Sequence, residues 1–225
     1  MIEAFLLDIS GTVVRSGGFE AVFHRVYSEV LGVEVSPESV RVNTGRKKAA
    51  LFTDMVALHS PSRVDESGLI QRMTEAFDTF MLEAIEADPP AVLPGVRDAL
   101  AMLAEARVRV GYVTGFARGP AERLLAVSGL SYEVLVGSDE VERGRPAPDL
   151  ITEAMRRLSL SDASAVAYAG DTPVDIGSGL VAGCGLVYGL TCGAHERGEL
   201  ESAAAGTRAK VMQGLQEAVV DALRA

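Results

Sequence analysis

Short apolar runs alternate with helix-like patterns along most of this sequence. An apolar run that ends at a polar residue predicts a buried strand, and apolar residues recurring every three to four positions predict a helix packed on one face. The predicted strands are residues 2–7, 108–113, 133–136, 164–169, 184–188 and 208–212. The predicted helices are residues 95–106, 119–128, 147–158, 173–182 and 214–224. This alternation predicts an α/β fold with a parallel sheet covered by helices on both faces.

The segment between the first two strands breaks this alternation. Consecutive helical patterns follow one another there without a strand, at residues 19–31, 37–58 and 66–86. Glycines at 17 and 18 and the Asp88-Pro89-Pro90 sequence punctuate its two ends. We therefore expect a small all-helical cap domain, residues 17–88, inserted into a core formed by residues 1–16 and 89–225. The alternative is a set of extra helices packed on a single core.

The acidic net charge of the chain argues against a nucleic-acid partner. The 225 residues carry a formal net charge of −10, whereas a nucleic-acid-binding protein usually shows a basic patch. The one dense basic run is Arg46-Lys47-Lys48. An acidic protein that binds an anion must build a local positive site, so this run and Arg145 are candidates for it. The alternative for the run is a solvated helix face.

The apolar runs, the first residues and the cysteines indicate where in the cell the protein is expected. No apolar run approaches the roughly 18 residues needed to span a bilayer, so we expect no membrane partner. The first residues carry acidic rather than basic side chains, which does not fit an export signal. Cys184 and Cys192 form neither a CxxC pair nor a zinc spacing. We expect reduced thiols in a cytoplasmic protein, either monomer or homodimer.

Polar residues end several of the predicted strands. Asp8, Thr114 and Asp171 each follow a strand, and ligands of parallel sheets bind beyond the carboxyl ends of the strands. Asp8 opens the sequence Asp-Ile-Ser-Gly-Thr12. Its carboxylate suits a nucleophile, a metal ligand or an ordinary turn. The Thr114-Gly115 pair offers a hydroxyl and backbone N–H groups to phosphate oxygens.

Later positions add a cation and further carboxylates. Arg145 lies between Gly144 and Pro146, in a stiff loop that aims one positive charge. Thr172 and Asp175 fit the first and fourth positions of a helix capping box, so Asp175 has a purely structural explanation. Asp171 precedes that cap and has no such explanation.

The order and spacing of these pieces resemble the haloacid dehalogenase-like superfamily. Its motifs run Asp-x-x-x-Thr, a Ser or Thr, a Lys or Arg, and Gly-Asp-x-x-x-Asp. The resemblance implies a Rossmann-like core in which Asp8 is a nucleophile that forms an aspartyl-phosphate. It implies that Thr114 binds the phosphoryl group and that Arg145 stabilises the nucleophile and the transferred group.

The resemblance also implies Mg²⁺, held by Asp8, Asp171 and the backbone carbonyl of Ser10, with Asp175 supporting the metal site. Oxygen ligands suit this cation, and its charge together with Arg145 offsets the repulsion between a carboxylate and a phosphate dianion. The further positions expected to contact a small phosphorylated or phosphonate substrate are Ser10, Thr12, Lys47, Gly115 and Phe116.

Departures from the common motif point to one branch. Ser10 stands where most phosphatases of the superfamily carry the aspartate that acts as general acid, and Arg145 stands where most relatives have lysine. Both resemble the phosphonoacetaldehyde hydrolase (phosphonatase) branch, which cuts a carbon–phosphorus bond after a lysine forms an imine. Lys48 lies where that lysine would fall. Phe116 and Leu51 replace an aromatic hydroxyl and a histidine of that branch.

Helical periodicity distinguishes Lys48 from its neighbour. On a helix capped at Thr44 or Gly45, Lys48 shares a face with Phe52 and Met55, whereas Lys47 lies nearer a solvated edge. Burial on an apolar face lowers the pKa of a lysine and frees its amine for imine formation. The alternatives are that Lys48 extends past this face to water, or merely attracts phosphate.

Several functions therefore remain open. A magnesium-dependent, phosphonatase-like hydrolase is the leading prediction, and a phosphatase acting on esters with good leaving groups is the runner-up. A haloacid dehalogenase is a further alternative. Such enzymes use no metal, so the Gly170-Asp171 pair, which the resemblance assigns to the metal site, argues against this function. A binding protein without catalysis is the remaining alternative, and we assign His24 and His195 to exposed or loop positions.

Overall fold

A parallel β-sheet forms the centre of the computed structural model, which describes residues 2–16, 18–41 and 44–225. Within those residues the sheet has six strands, which are β1 Ala4–Leu7, β2 Arg109–Val113, β3 Val134–Val136, β4 Val166–Gly170, β5 Leu186–Leu190 and β6 Lys210–Met212. Their order in the sheet is β3-β2-β1-β4-β5-β6, and every neighbouring pair is parallel. The α/β prediction is confirmed, and each predicted strand lies within two residues of the observed one.

Helices cover both faces of the sheet because side chains of a strand alternate in direction. Phe5 and Leu7 of β1 belong to one apolar cluster, and Leu6 belongs to the other. The helices of the core are α5 Val96–Glu105, α6 Arg118–Ser128, α7 Asp149–Arg157, α8 Pro173–Ala182, α9 Arg197–Ala204 and α10 Leu215–Ala222. The first cluster includes residues of α5, α6 and α10, and the second includes residues of α7, α8 and α9.

Helix α9 is absent from the sequence prediction. Leu200 is its one fully buried side chain, so the helix presents no apolar stripe that periodicity could detect. Glu196 and Glu199 nevertheless form a capping box at its start. The local signal for this helix was therefore its cap rather than its apolar residues.

The helical insertion after the first strand is confirmed. Its helices are α1 Phe19–Val26, α2 Pro37–Arg41, α3 Lys48–His59 and α4 Leu69–Ala87, and α1 continues as a π-helical turn over Tyr27–Leu31. The exact limits of the cap domain, residues 17 and 88, stay a prediction, and Gly17 lies outside the described residues. Apolar side chains of the insertion join one face of the sheet in a continuous cluster.

The single helix expected over residues 37–58 is wrong. The structure instead has α2 and α3, separated by a turn that includes Gly45 with φ of 86°. Val42 and Asn43, which also fall within the expected helix, lie outside the described residues. The N-terminal cap of α3 is Lys47 rather than Thr44 or Gly45, because Lys47 has the extended backbone that precedes the first helical residue.

Candidate active site

The strand order reverses beside β1, because β2 and β4 lie on its two sides. Such switch points open a crevice at the carboxyl ends of the strands. Asp8 follows β1, Thr114 follows β2 and Asp171 follows β4, and all of them line one cavity of about 320 Å³. The expected convergence of these side chains is therefore present.

Asp8 is paired with Arg145. The guanidinium Nη1 donates a hydrogen bond of 2.7 Å to Oδ1 of Asp8, and Nη2 donates one of 2.5 Å to the carbonyl of Val113. Both charged side chains are buried. Burial raises the pKa of Asp8 to about 6, although the charge of Arg145 opposes this shift. The pair holds a carboxylate and a cation beside the strand ends, as a charged reaction centre requires.

Asp175 is engaged on both carboxylate oxygens. Its Oδ1 accepts a 2.6 Å hydrogen bond from the hydroxyl of Tyr168 and lies 3.1 Å from Nε of Arg145. Its Oδ2 accepts hydrogen bonds from the backbone N–H and the hydroxyl of Thr172, which confirms the predicted capping box. With these contacts filling both oxygens, direct metal ligation by Asp175 is not supported. It holds Arg145 and the start of α8.

Asp171 is buried without a basic partner. Its Oδ2 accepts a 2.7 Å hydrogen bond from the N–H of Ala194, and its Oδ1 lies 3.4 Å from the hydroxyl of Thr12. Over the described residues no lysine, arginine or histidine forms an ion pair with it. Burial, followed by the charges of Asp8 and Asp175, raises the pKa of Asp171 well above its usual range. A bound cation would remove this repulsion.

The residues present fit Mg²⁺. Asp8 and Asp171 offer oxygen donors to one cavity, and their mutual repulsion is of the kind that a divalent cation relieves. In the described part of the chain, no group of three or more His, Cys, Asp or Glu side chains is arranged around a metal position. The remaining ligands would have to be backbone carbonyls such as that of Ser10, water and substrate. Mg²⁺ commonly binds through one or two carboxylates in this way.

Lys48 lines the same cavity from the insertion. The side chain is 4% exposed and lies on a buried face of α3 with Phe52 and Met55, as its spacing predicted. Its Nζ donates a 3.1 Å hydrogen bond to the carbonyl of Arg46. Burial lowers the pKa of Lys48 to about 7, against the opposing charge of Asp8. The amine does not extend to water, so that alternative is wrong.

Aromatic rings surround the Lys48 amine. Its Nζ lies 5.3 Å from the ring centre of Phe23, 5.2 Å from that of Phe77 and 5.1 Å from that of Phe116. Phe116 occupies the loop after β2 and lines the cavity. The insertion and the sheet edge therefore enclose the amine together.

Lys47 and Thr12 do not line this cavity, contrary to their expected contact with substrate. Lys47 points the other way, because its Nζ donates to the carbonyls of Val141 at 2.7 Å and Glu142 at 3.2 Å. Thr12 is fully buried, and its hydroxyl is directed to the carboxylate of Asp171. Ser10, Gly115 and Phe116 do line the cavity.

Glycines allow the insertion and the core to meet closely. A Cβ on Gly115 would lie 2.8 Å from the carbonyl oxygens of Gly45 and Arg46. A Cβ on Gly144 would lie 2.4 Å from Cβ of Lys47. These are distances that real Cβ atoms do not adopt. We call this contact of Gly115 and Gly144 with residues 45–47 the glycine seam.

Other residues of the site escaped the sequence reasoning. Phe19, Phe23 and Val40 line the cavity, but their helical spacing is equally typical of ordinary core positions. Arg41 of α2 also lines it and forms a 3.0 Å ion pair with Glu199 of α9. No local pattern predicts such a pairing across the fold.

The histidines and cysteines considered in the sequence do not line this cavity. His195 lies in a loop, as expected, and its side chain is buried at 7% exposure. His24 lies 3.6 Å from Glu20 on α1. Cys184 and Cys192 are both free thiols, as expected. No helix in the described ranges is long and apolar enough to cross a membrane.

Comparison with known proteins identifies the family of this chain. A family model described as haloacid dehalogenase-like hydrolase matches residues 2–183. A phosphonoacetaldehyde hydrolase from Parabacteroides distasonis is 29% identical over 216 residues, covering 89% of this chain and 80% of that relative. A phosphonoacetaldehyde hydrolase from Bordetella avium is 30% identical over an alignment of 238 residues, covering 100% of this chain and 81% of that relative.

Solved structures share the fold. A phosphonoacetaldehyde hydrolase-like protein from Oleispira antarctica has a TM-score of 0.82 at 21% identity, covering 99% of this chain and 93% of that one. A predicted phosphoglycolate phosphatase from Haemophilus somnus has a TM-score of 0.79 at 15% identity, covering 98% of each chain. These identities establish the shared architecture alone, whereas the family match spans most of the chain. The protein is therefore a hydrolase that belongs to the haloacid dehalogenase-like family.

Proposed function

We propose that this protein is a magnesium-dependent hydrolase that cleaves the carbon–phosphorus bond of a small oxophosphonate. The observation that carries the proposal is the position of Lys48, a buried amine in the same cavity as Asp8. An amine whose pKa lies at about 7 is substantially neutral near neutral pH, and the neutral form attacks carbonyl groups. The relatives named phosphonoacetaldehyde hydrolase support the same reaction class.

Lys48 would begin the reaction. Its amine adds to the substrate carbonyl and expels water, which leaves a protonated imine. Asp8 then attacks phosphorus, the carbon–phosphorus bond breaks, and its electron pair passes into the imine to give an enamine. Water hydrolyses the aspartyl-phosphate and the re-protonated imine, which returns Asp8 and Lys48 to their starting states.

Positive charge near Asp8 makes its attack on an anion feasible. Arg145 donates to Asp8 at 2.7 Å and aligns the carboxylate that attacks. The hydroxyl of Thr114 and the N–H of Gly115 lie at the end of β2, where they would bind phosphonate oxygens. Mg²⁺, held by Asp8 and Asp171, would supply the further charge that offsets repulsion between the carboxylate and the phosphonate.

Ser10 fits this chemistry. A phosphate ester with a poor leaving group needs a proton donor, and serine with an ordinary pKa cannot supply one. In the proposed reaction the departing carbon passes its electrons into the imine instead. A proton from position 10 is therefore unnecessary at the bond-breaking step.

A phosphatase that acts on esters with good leaving groups is the second candidate. The observation in its favour is the lack of polar acid–base groups at two positions near Lys48. Phe116 has no hydroxyl, and Leu51 is fully buried in the apolar cluster. Imine formation here would rely on water for its proton transfers. With either function, the substrate is small and anionic. The cytoplasmic location of the protein stays a prediction.

Trapping the imine tests the proposal. Protein with Mg²⁺ and phosphonoacetaldehyde, reduced with borohydride, should carry a covalent adduct on the Lys48 peptide by mass spectrometry. Lys48→Arg keeps the charge but should abolish phosphate release and the adduct. Lys47→Arg is the matched control, because Lys47 points to the carbonyls of Val141 and Glu142. Absence of the adduct, with Lys48→Arg still releasing phosphate from esters, would establish the phosphatase instead.

A further inference from the structure

Apolar side chains form part of the lining of the cavity that also contains Lys48. Phe19, Phe23, Val40 and Phe116 all line it, and each is at most 6% exposed. Phe19 and Phe23 come from α1, Val40 from α2, and Phe116 from the loop after β2. We call these four residues the apolar wall. The anionic groups Asp8 and Asp171 belong to the strand ends instead, so the cavity has chemically distinct ends.

Packing fixes the apolar wall in place. The ring of Phe19 meets that of Phe116 edge-on, with centres 5.6 Å apart. The ring of Phe23 lies 4.8 Å from that of Phe77, which is itself fully buried. Rings held on several sides do not turn aside for a polar group. The apolar wall therefore keeps its shape, and a ligand must complement that shape.

The charged residues of α1 and α2 that line the cavity already contact other charged side chains. Arg41 lines the cavity, but its guanidinium donates to Glu38 at 2.8 Å and to Glu199 at 3.0 Å. Glu20, which also lines the cavity, is 57% exposed and lies 3.6 Å from His24. A carboxylate on the substrate would meet no uncommitted cation among these residues. An uncharged apolar group would meet the rings and Val40.

The size of the cavity points the same way. Its volume of about 320 Å³ lies within the roughly 300–1,000 Å³ typical of small-molecule sites. A two-carbon oxophosphonate would engage Asp8 and Lys48 but would leave the apolar wall in contact with water. Covering such a surface with methylene groups improves binding roughly fourfold for each group.

From this arrangement we propose that the preferred substrate is a 2-oxoalkylphosphonate, a ketone whose carbonyl carbon carries an apolar chain that covers the apolar wall. This inference rests on the proposed function and names its substrate class. The overall reaction is hydrolysis. One water and the oxophosphonate give inorganic phosphate and a methyl ketone, as the carbon–phosphorus bond is replaced by a carbon–hydrogen bond and a phosphorus–oxygen bond.

A chain-length series on the native enzyme with Mg²⁺ tests the inference. The substrates are phosphonoacetaldehyde, 2-oxopropylphosphonate, 2-oxobutylphosphonate and 2-oxopentylphosphonate, with 3-phosphonopyruvate as the carboxylated counterpart. Phosphate release is followed together with the carbonyl product, which is acetaldehyde from phosphonoacetaldehyde and a methyl ketone from the other substrates. We expect kcat/KM to rise roughly fourfold with each added methylene, as burial of apolar surface requires, and to be lowest for 3-phosphonopyruvate.

Each other outcome has a defined meaning. If phosphonoacetaldehyde gives the highest kcat/KM, or if the series is flat, while borohydride still traps Lys48, the inference is overturned and the proposed function stands. If the carboxylated compound is preferred, the apolar wall does not select the substrate and the inference is likewise overturned. If no compound gives phosphate or an adduct, the proposed function itself fails.

A variant pair tests the wall directly. Val40→Phe adds bulk where the chain would lie and should lower the ratio of kcat/KM for 2-oxopentylphosphonate to that for phosphonoacetaldehyde by about tenfold or more. Val64→Phe, at a half-exposed position outside the cavity, should leave this ratio unchanged. An unchanged ratio in folded Val40→Phe would overturn the inference. If that variant does not fold, the substrate series on native protein decides alone.

Discussion

Oδ1 of Asp175 lies 3.1 Å from Nε of Arg145, and both side chains are buried. The same guanidinium donates to Asp8 through Nη1. Asp175 therefore acts on Asp8 through the arginine, and its first effect is to fix the direction of the guanidinium. The helix cap that Asp175 completes fixes the carboxylate in turn.

Asp175→Asn should reduce kcat by about tenfold to a hundredfold, because Arg145 loses one of its two carboxylate partners. The concentration of Mg²⁺ needed for half-maximal activity should stay the same. Tyr168→Phe is the control, since it removes the 2.6 Å hydrogen bond to Asp175 and keeps the charge pair. A large rise in the Mg²⁺ requirement of Asp175→Asn would instead show that Asp175 acts on the metal.

Asp8→Asn should lower phosphate release by at least about 10⁴-fold, because the amide is isosteric but cannot form the aspartyl-phosphate. Asp54→Asn, at an exposed position on α3, serves as the matched control. Thermal denaturation should show both variants folded. Activity of folded Asp8→Asn within tenfold of native protein would show that another residue attacks phosphorus.

Mg²⁺ should raise the melting temperature of the native protein, because it relieves the repulsion among Asp8, Asp171 and Asp175 that raises the pKa of Asp171. At a hundred times the dissociation constant, binding to the folded state adds about 2.7 kcal/mol of stability. Asp171→Asn should lose most of this Mg²⁺-dependent shift, and EDTA should abolish phosphate release by native protein. An equal shift in both proteins would place the metal elsewhere.

The buried amine of Lys48 should make stability depend on pH. Its pKa is depressed to about 7 in the folded state, so between that value and its ordinary 10.5 the unfolded chain binds more protons. The free energy of unfolding should therefore rise from pH 7 to 9.5 relative to that of Lys48→Met, by roughly 1.4 kcal/mol per pH unit at most. Urea unfolding at both pH values measures this difference.

The same shift predicts the pH dependence of trapping. The yield of borohydride adduct at short times should rise through a midpoint near pH 7, as Lys48 loses its proton. A midpoint near the ordinary lysine pKa would show that the amine is solvated when it reacts.

Ser10→Asp should accelerate hydrolysis of phosphate esters with poor leaving groups, because it supplies a carboxylic acid where the native protein has none. Ester hydrolysis by native protein should fall steeply as the leaving-group pKa rises, and the variant should flatten this slope. Cleavage of oxophosphonates should gain nothing from the new acid. A flat slope for native protein would reveal another proton donor in the cavity.

The sequence predicted best those residues whose positions depend on their neighbours along the chain. Asp8, Thr114 and Asp171 end buried strands, and parallel topology brings such ends together. Thr172 and Asp175 form the expected capping box. These features depend on neighbours along the chain, which a sequence displays directly.

The failures concern partners that are distant along the chain. Lys47 differs from Lys48 by one position, yet it is directed to carbonyls 94 and 95 residues away. The contact of Arg145 with Asp175 and the pairing of Arg41 with Glu199 arise from tertiary packing. The break between α2 and α3 has a visible marker in Gly45, but an isolated glycine also occurs inside helices at a modest cost.

The glycine seam constrains how this enzyme can diversify. Gly115 and Gly144 let residues 45–47 of the insertion approach the core backbone without an intervening side chain, so the spacing between the two layers is fixed by main chain. While this contact holds, residues 45–47 cannot slide across the strand ends. The shape of the cavity would then change through exchange of the side chains of α1 and α2 that line it, while the strand ends beneath them stay in place.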